Sequence, residues 1–321
     1  MKRLALAAAL LLASAPAAPL AAQHPQHGAA AAPVPDARPA PASALAREVE
    51  AVRAATARYR DPRAAERDGF RRFGREGALM GEHWYHPDRV RRPLDLARPS
   101  TLQYATVGGE RVLVGVAYTV YRRPGEPLPA GFAGDEDRWH AHDVVRIARA
   151  LTEDRPVLRW VSERRIRSGK AGAGDGRTRL TMVHAWVWLD NPRGMFAQEH
   201  TALPYLRAGL PAAFADGGGV DAAWGVALLD PATCGQETGR VKLLARPGRA
   251  VEREVRRACE AAAVAVRRER AAGADRERLN AAAADAWRGF VRARDAALTP
   301  EQRARMAAMV EHDMTGGGHA H

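Results

Sequence analysis

Apolar residues recur at three- and four-residue intervals through Leu45, Val49, Val52, Ala55 and Tyr59, which is the repeat of one helix face. Asp61-Pro62 breaks that run, and the proline suits the first turn of a second helix that stops at Gly69. The pattern then changes period. Residues 102–107 and 111–121 are β-rich runs around Gly108-Gly109-Glu110, which predicts a hairpin. Residues 157–161 and 179–189 read as further strands, and 222–229 as another short one. Residues 170–176 form a Gly-rich connection, and Asn191-Pro192-Arg193-Gly194 a turn. From about 251 to 312 the helical period returns in Ala-rich sequence, with Gly273 or Gly289 as the point of interruption. Within it, Thr299 is placed to cap, Pro300 to take the first helical position and Gln302 to close a capping box. The predicted fold class is α+β. A strand-rich central domain (78–244) follows a helical segment (44–77) and precedes an Ala-rich helical pair (245–313), with residues 314–321 as a tail.

The ends of the chain change the picture of where it works. A charged Met1-Lys2-Arg3, an uncharged apolar stretch over 4–13 and small residues up to Ala22 read as a signal peptide cleaved near Ala22. The apolar stretch is shorter than the roughly 20 residues a bilayer span requires. Residues 23–43 hold Pro33, Pro35, Pro39 and Pro41 among alanines and read as a tether. The expected location is periplasmic or secreted, with no transmembrane segment. In an oxidising compartment Cys234 and Cys259 read as one disulfide; their spacing suits neither a C-x-x-C redox site nor haem attachment.

Composition excludes more than it assigns. The hydrophobic fraction of 46% is inflated by alanine concentrated at both ends, so the middle carries the convincing core. The formal charge of +12 is almost all Arg, and it alternates with acids, as in Arg47-Glu48, Arg253-Glu254 and Arg276-Glu277-Arg278. Such interleaving marks solvated helix faces, and no basic block carries the aromatics that grip nucleic acid, so none is expected as a partner. There is no G-x-S-x-G, H-E-x-x-H or P-loop; Gly217-Gly218-Gly219 lacks the Lys-Ser/Thr a phosphate loop needs. The acidic run Asp135-Glu136-Asp137 reads as a solvated loop able to meet a cation.

The histidines are the informative feature. Six of eleven, His83, His86, His140, His142, His184 and His200, fall in the strand-rich region. His140-Ala141-His142 on a strand puts two imidazoles on one face, where they can share an ion. By the same alternation His83 shares a face with Tyr85, opposite Glu82, Trp84 and His86, while His184 shares one with Trp186 and Trp188. Three imidazoles suit zinc or copper. The expected metal set is His83, His140, His142 and His184, with Asp143 as an acceptor for an imidazole N–H.

A resemblance enters at this point. Ala55-Thr56 with Tyr59 and Asp61, then Met80-Gly81-Glu82-His83-Trp84, then Asp95 with Arg98-Pro99, Leu102 and Tyr104, resembles a group of exported bacterial proteins. Its members carry an A-T-x-x-Y/F-x-D helix followed by M-G-x-H-Y/W and D-x-x-R-P-x-x-L-x-Y motifs, here over about residues 50–120. The resemblance implies architecture and export, and no mechanism. Three readings stay open: a protein that binds a metal ion or small ligand without turnover; a metal-dependent hydrolase or oxygen-handling enzyme at the same histidines, with Glu82 or Glu199 as base; and a helical interaction protein whose histidines are structural.

Overall fold

The computed structural model describes residues 42–86, 88–89, 94–122, 126–142, 156–167 and 179–314. The expected signal peptide and most of the tether and tail lie outside these residues, as do Asp143 and the Gly-rich 170–176 connection. Helix α1 (Ala42–Thr56) runs into a single 3-10 turn (Ala57–Arg60). The Asp61 side chain then accepts the Arg63 N–H at 2.9 Å and starts α2 (Pro62–Arg67), with Pro62 in the first turn. Gly69, at φ +97°, ends it in a conformation that disfavours any side chain. The chain turns there into β1 (Arg71–Gly77), so the last part of the segment expected to be helical is a strand.

Strands β2 (Gly81–Tyr85), β3 (Thr101–Val107), β4 (Glu110–Arg122), β5 (His140–His142) and β6 (Arg179–Ala185) complete an antiparallel sheet in the order β1-β2-β3-β4-β6-β5. The expected hairpin is β3–β4. Gly108 and Gly109 have φ of 59° and 85°, the two positive values that a two-residue turn matching strand twist requires. One face of the sheet is apolar. Trp84, Leu102, Tyr104, Val116, Tyr118 and Val183 pack there against Val49, Val52, Tyr59, Ala65 and Phe70 from the N-terminal helices. Each such large side chain, fully buried, contributes about 1.5–3 kcal/mol.

The strand expected over 179–189 ends at Ala185. Beyond it the period-two alternation stops, and Trp188 turns to the apolar side, where its Nε1 donates to Thr56 Oγ1 at 3.0 Å. It therefore does not share a face with His184. Residues 157–161, expected as a strand, lie in helix α3 (Pro156–Arg167). Pro156 presets a helical first turn there, and the Arg- and Glu-rich second half prefers helix.

From residue 203 the chain is helical: α4 (Leu203–Arg207), a 3-10 turn (Ala212–Ala215), α5 (Gly219–Ala227), α6 (Pro231–Leu244), α7 (Arg249–Ala271), α8 (Arg276–Ala297) and α9 (Pro300–Met314). The short strand expected over 222–229 is thus mostly α5. Its small residues let two helices approach closely: a Cβ on Gly225 would stand 2.0 Å from the Ala283 carbonyl oxygen of α8. Beside this contact Trp224 and Trp287 stack at 4.9 Å, and Phe290, Val255, Val266 and Leu279 fill the surrounding core. Ala78 and Leu79, in the β1–β2 turn, belong to the same core, so the sheet is anchored to the helices at that end. The helical run breaks at Gly273 (φ +69°), while Gly289 stays inside α8. Cys234 of α6 and Cys259 of α7 form the disulfide. The capping box forms as the residue types predict: the Thr299 N–H donates to Gln302 Oε1 at 2.9 Å, and the Gln302 N–H to Thr299 Oγ1 at 3.3 Å.

Candidate functional site

The second face of the sheet is polar where the first is apolar. Register pairs His83 of β2 with Gln103 of β3, Gln103 with Gly115 of β4, and Ala117 of β4 with His184 of β6. It also pairs Thr119 with Met182, and Met182 with His140 of β5. Directly opposed and alternate residues share a face, so all of these point the same way. His142 holds the equivalent backbone position opposite Leu180.

In a flat sheet β2 and β6 would be about 14 Å apart, three spacings of about 4.8 Å. Yet the His83 and His184 rings have centroids only 5.5 Å apart, and His184 and His140 only 5.1 Å. The sheet is therefore strongly curled, with the histidine face inside the curl. Two local features favour this. Register shifts between Gln103 and Tyr104, an irregularity that bends a strand. Gly115 and Ala117 keep the middle of the concave face thin. A Cβ on Gly115 would meet the Ala185 carbonyl at 2.9 Å and the Trp186 ring at 3.1 Å. The rings meet across this low ground.

Much of this face is buried, with His83 at its partly exposed edge. His184 and Gln103 are 0% exposed, Thr119 3% and His140 8%. Neither the oxygen nor the nitrogen of the Gln103 amide has a hydrogen-bond partner, and the Thr119 hydroxyl has none. Buried polar groups are usually paired, and these three orphaned atoms sit on the same face as the rings. The His184 ring lies 3.2 Å through Nδ1 from the Gln198 carbonyl and 3.2 Å through Nε2 from Met182 Sδ. Met182, Gln103 and Thr119 are not singled out by residue type. Period-two alternation back from His184 is the one signal that could have found Met182.

His86 and His200 stand apart. His86 Nε2 bonds the Asp68 carbonyl at 3.0 Å and the ring stands edge-on to Phe70 at 5.3 Å, outside the curl. Burial lowers its pKa. His200 packs on Trp186 at 4.9 Å and bonds the Leu189 carbonyl at 3.3 Å; burial pulls its pKa down to about 4. Trp186 links it to His184 at 5.8 Å.

The two expected bases separate. Glu82 points to the opposite face, between Arg72 and Arg111, and accepts the Trp84 indole N–H at 2.8 Å. It cannot serve the histidine row. Glu199 is held above the ordinary carboxylate range by burial, with Arg193 opposing and Asp221 of α5 adding to the shift. In the acidic run Asp135 and Glu136 are exposed, and Asp137 accepts the Phe132 N–H at 3.0 Å, so the run serves its own loop. Burial raises the Asp137 pKa to about 6.

Away from this face, a cleft of about 430 Å³ lies where β1, β3 and the helices meet, lined by Glu76, Thr106, Arg207, Asp230 and Arg270 among others. Its polar groups largely serve one another: Glu76 pairs with Arg207 and accepts the Thr106 hydroxyl at 2.7 Å. Among the described residues, no three His, Cys, Asp or Glu side chains are gathered closely enough to hold an ion as they stand, and no helix is long and apolar enough to cross a membrane. Set against known proteins, the chain matches no family model, no curated protein and no solved structure.

Proposed function

We propose that the chain is an exported protein that binds a transition-metal ion through His83, His140 and His184, with His142 on the same face. The observation that carries this reading is the spacing of three rings from three separate strands. An imidazole nitrogen about 2.0–2.1 Å from an ion puts the ring centre about 3.2 Å away, and two such rings at a tetrahedral angle lie about 5.2 Å apart. The His184 ring stands 5.1 Å from that of His140 and 5.5 Å from that of His83, so two of the three ring pairs have this spacing. Ring rotation inside the curl is the movement that would bring the nitrogens onto a common point. The Gln198 carbonyl fits the role of partner to the non-ligating N–H of His184. The disulfide suits an oxidising compartment, in keeping with export.

Binding without turnover is favoured over catalysis. Of the two carboxylates expected as a base, Glu82 lies on the far face of the sheet, tied up by two arginines. The test is metal content of tag-free protein in which His319 and His321 have been changed to Ala, since that tail can collect metal itself. One equivalent of zinc or copper is expected, and His184→Ala or His140→Ala should remove it. Metal below stoichiometric traces after reconstitution would sink the proposal.

A further inference from the structure

We infer that helix α3 (Pro156–Arg167) is a docking surface for an anionic lipid bilayer, a role separate from the histidine face. Among the described residues, six large hydrophobic side chains are exposed. Four of them, Val157 (75%), Leu158 (42%), Trp160 (57%) and Val161 (37%), stand within five consecutive positions of α3. Single exposed apolar residues are ordinary, whereas a contiguous group with a tryptophan marks a surface that something covers. At about 100° per residue, Trp160, Val157, Val161 and Leu158 follow one another around an arc of about 160°, nearly half the helix circumference.

Charge decides what covers it. The same helix holds Arg159, Arg164, Arg165 and Arg167 against Glu163 alone, a net +3, in a chain of +12. A second copy of this surface would bring like charges together, so the fitting partner is anionic. The order of residues along the axis then fits a bilayer better than a folded acidic protein. The exposed apolar side chains occupy the N-terminal half, and Arg164, Arg165 and Arg167 fall at the C-terminal end. The Arg164 guanidinium lies over the Trp160 ring at 5.3 Å, which sets a positive charge level with the indole. A headgroup region has this layering: apolar side chains below, the indole at the boundary and guanidinium groups among the phosphates. At about 1.5 Å per residue the helix is about 18 Å long, well short of the roughly 30 Å of hydrocarbon. It would therefore lie obliquely in the surface with its apolar end dipped, and would not cross.

The test is co-sedimentation with vesicles of mixed phosphatidylglycerol and phosphatidylcholine, beside vesicles of phosphatidylcholine alone. Both the full chain and the chain from Gln23 are used, since residues 4–13 are themselves apolar; each contains the whole described fold. Binding should be at least about tenfold weaker without the anionic lipid. Val157→Ser with Trp160→Ser removes apolar area and no charge, and should weaken binding by at least about tenfold. Val264→Ser, on an exposed valine (57%) of α7, should leave it within about twofold. Changing Arg164, Arg165 and Arg167 to Gln together should weaken it by at least about tenfold, at about fivefold per arginine. Acyl chains brominated near the headgroup should quench Trp160, seen as quenching that Trp160→Phe removes while binding persists. Circular dichroism confirms that each variant is folded. If the chain from Gln23 ignores the mixed vesicles, or the serine pair binds them as well as the unaltered chain, the inference is overturned; in the second case charge elsewhere on the chain holds the lipid. If vesicles are ignored while the unaltered chain sediments as a dimer that the serine pair dissolves, the face is a contact between copies. Equally strong binding to polyglutamate, lost in the serine pair, would make the partner an acidic polypeptide and overturn the inference too.

Discussion

Replacing Gln103 by Leu should stabilise the protein and, on the proposed function, weaken metal binding at the histidine face. The Gln103 side chain is 0% exposed, its oxygen packs over Gly115, and neither of its polar atoms has a hydrogen-bond partner. Removing a buried polar group from water without pairing it costs about 1–3 kcal/mol. Leu has no such cost at the same place and fills the volume with apolar atoms, so the folded state should gain about 1–3 kcal/mol, less any loss from its different branching. For a chain of this size each kcal/mol moves the melting temperature by about 2 °C, giving a rise of about 2–6 °C. The assay is thermal unfolding followed by circular dichroism in the presence of a chelator, beside a metal titration of the same variant. A fall in melting temperature of similar size would refute the reasoning, because it would mean that the Gln103 amide contributes a bond on which the fold depends. A rise accompanied by weaker metal binding would mark Gln103 as a residue kept at a cost to stability.

Other perturbations act on the scaffold. Gly225→Ala would bring a Cβ to 2.0 Å from the Ala283 oxygen and 2.3 Å from its carbonyl carbon, both backbone atoms that cannot swing aside. Helices α5 and α8 must then part, disturbing the Trp224–Trp287 stack, and the urea midpoint should fall by the equivalent of about 1–3 kcal/mol or more. The double change Cys234→Ser and Cys259→Ser opens a link spanning 25 residues and should cost about 3–4 kcal/mol; the same midpoint should be reached by adding reductant to the natural protein, and no change in either would show that the link constrains nothing. Two of the groups that set acid sensitivity oppose each other. His200 titrates at about 4 in the folded chain against 6.5 when free, so the unfolded chain takes up the proton first and stability falls between those values. Asp137 titrates at about 6 against 3.8, so there the folded chain takes up the proton first and stability rises as pH drops through that window. Asp137→Asn should therefore steepen the acid loss of the natural protein and His200→Gln should flatten it, read as urea midpoints on either side of the window.

Much of the sheet was legible because its signals are local. Gly108-Gly109 between β-rich runs, Asp61-Pro62 and the Thr299–Gln302 box each act within a few residues, and each forms the predicted contact. The alternation that placed His83 and His184 on sheet faces is equally local, but the curl that brings them together is not. It depends on an irregularity at Gln103 and on small residues at 115 and 117, which in a sequence look like any other strand positions. The helices over 203–244 escaped notice for a different reason. Asp230-Pro231 carries the same start signal as Asp61-Pro62, but the run before it is short and apolar, and such runs fit strand and helix alike. What decides for helix is the close contact with α8, which lies some sixty residues further along. Trp188 was misplaced because alternation was carried past Ala185, where hydrogen bonding to β4 shifts from strand pairing to the Val114 carbonyl. Of the four histidines expected to act together, three have rings that meet, and the side chain of His142 lies outside what is described.

The shortness of β5 sets a clock on the site. This strand has three residues and, among the described residues, pairs with β6 alone at the border of the sheet, where α9 runs beside it. Border ladders of this length open far more readily than the β3–β4 hairpin at the centre. Lifting β5 would carry His140 away from His184. Exchange of a bound ion would then follow the opening rate of this one ladder, and its residence time would be shortened by anything that frays α9, beginning with its Thr299 cap. Amide hydrogen exchange at Ala141 would report the same opening directly.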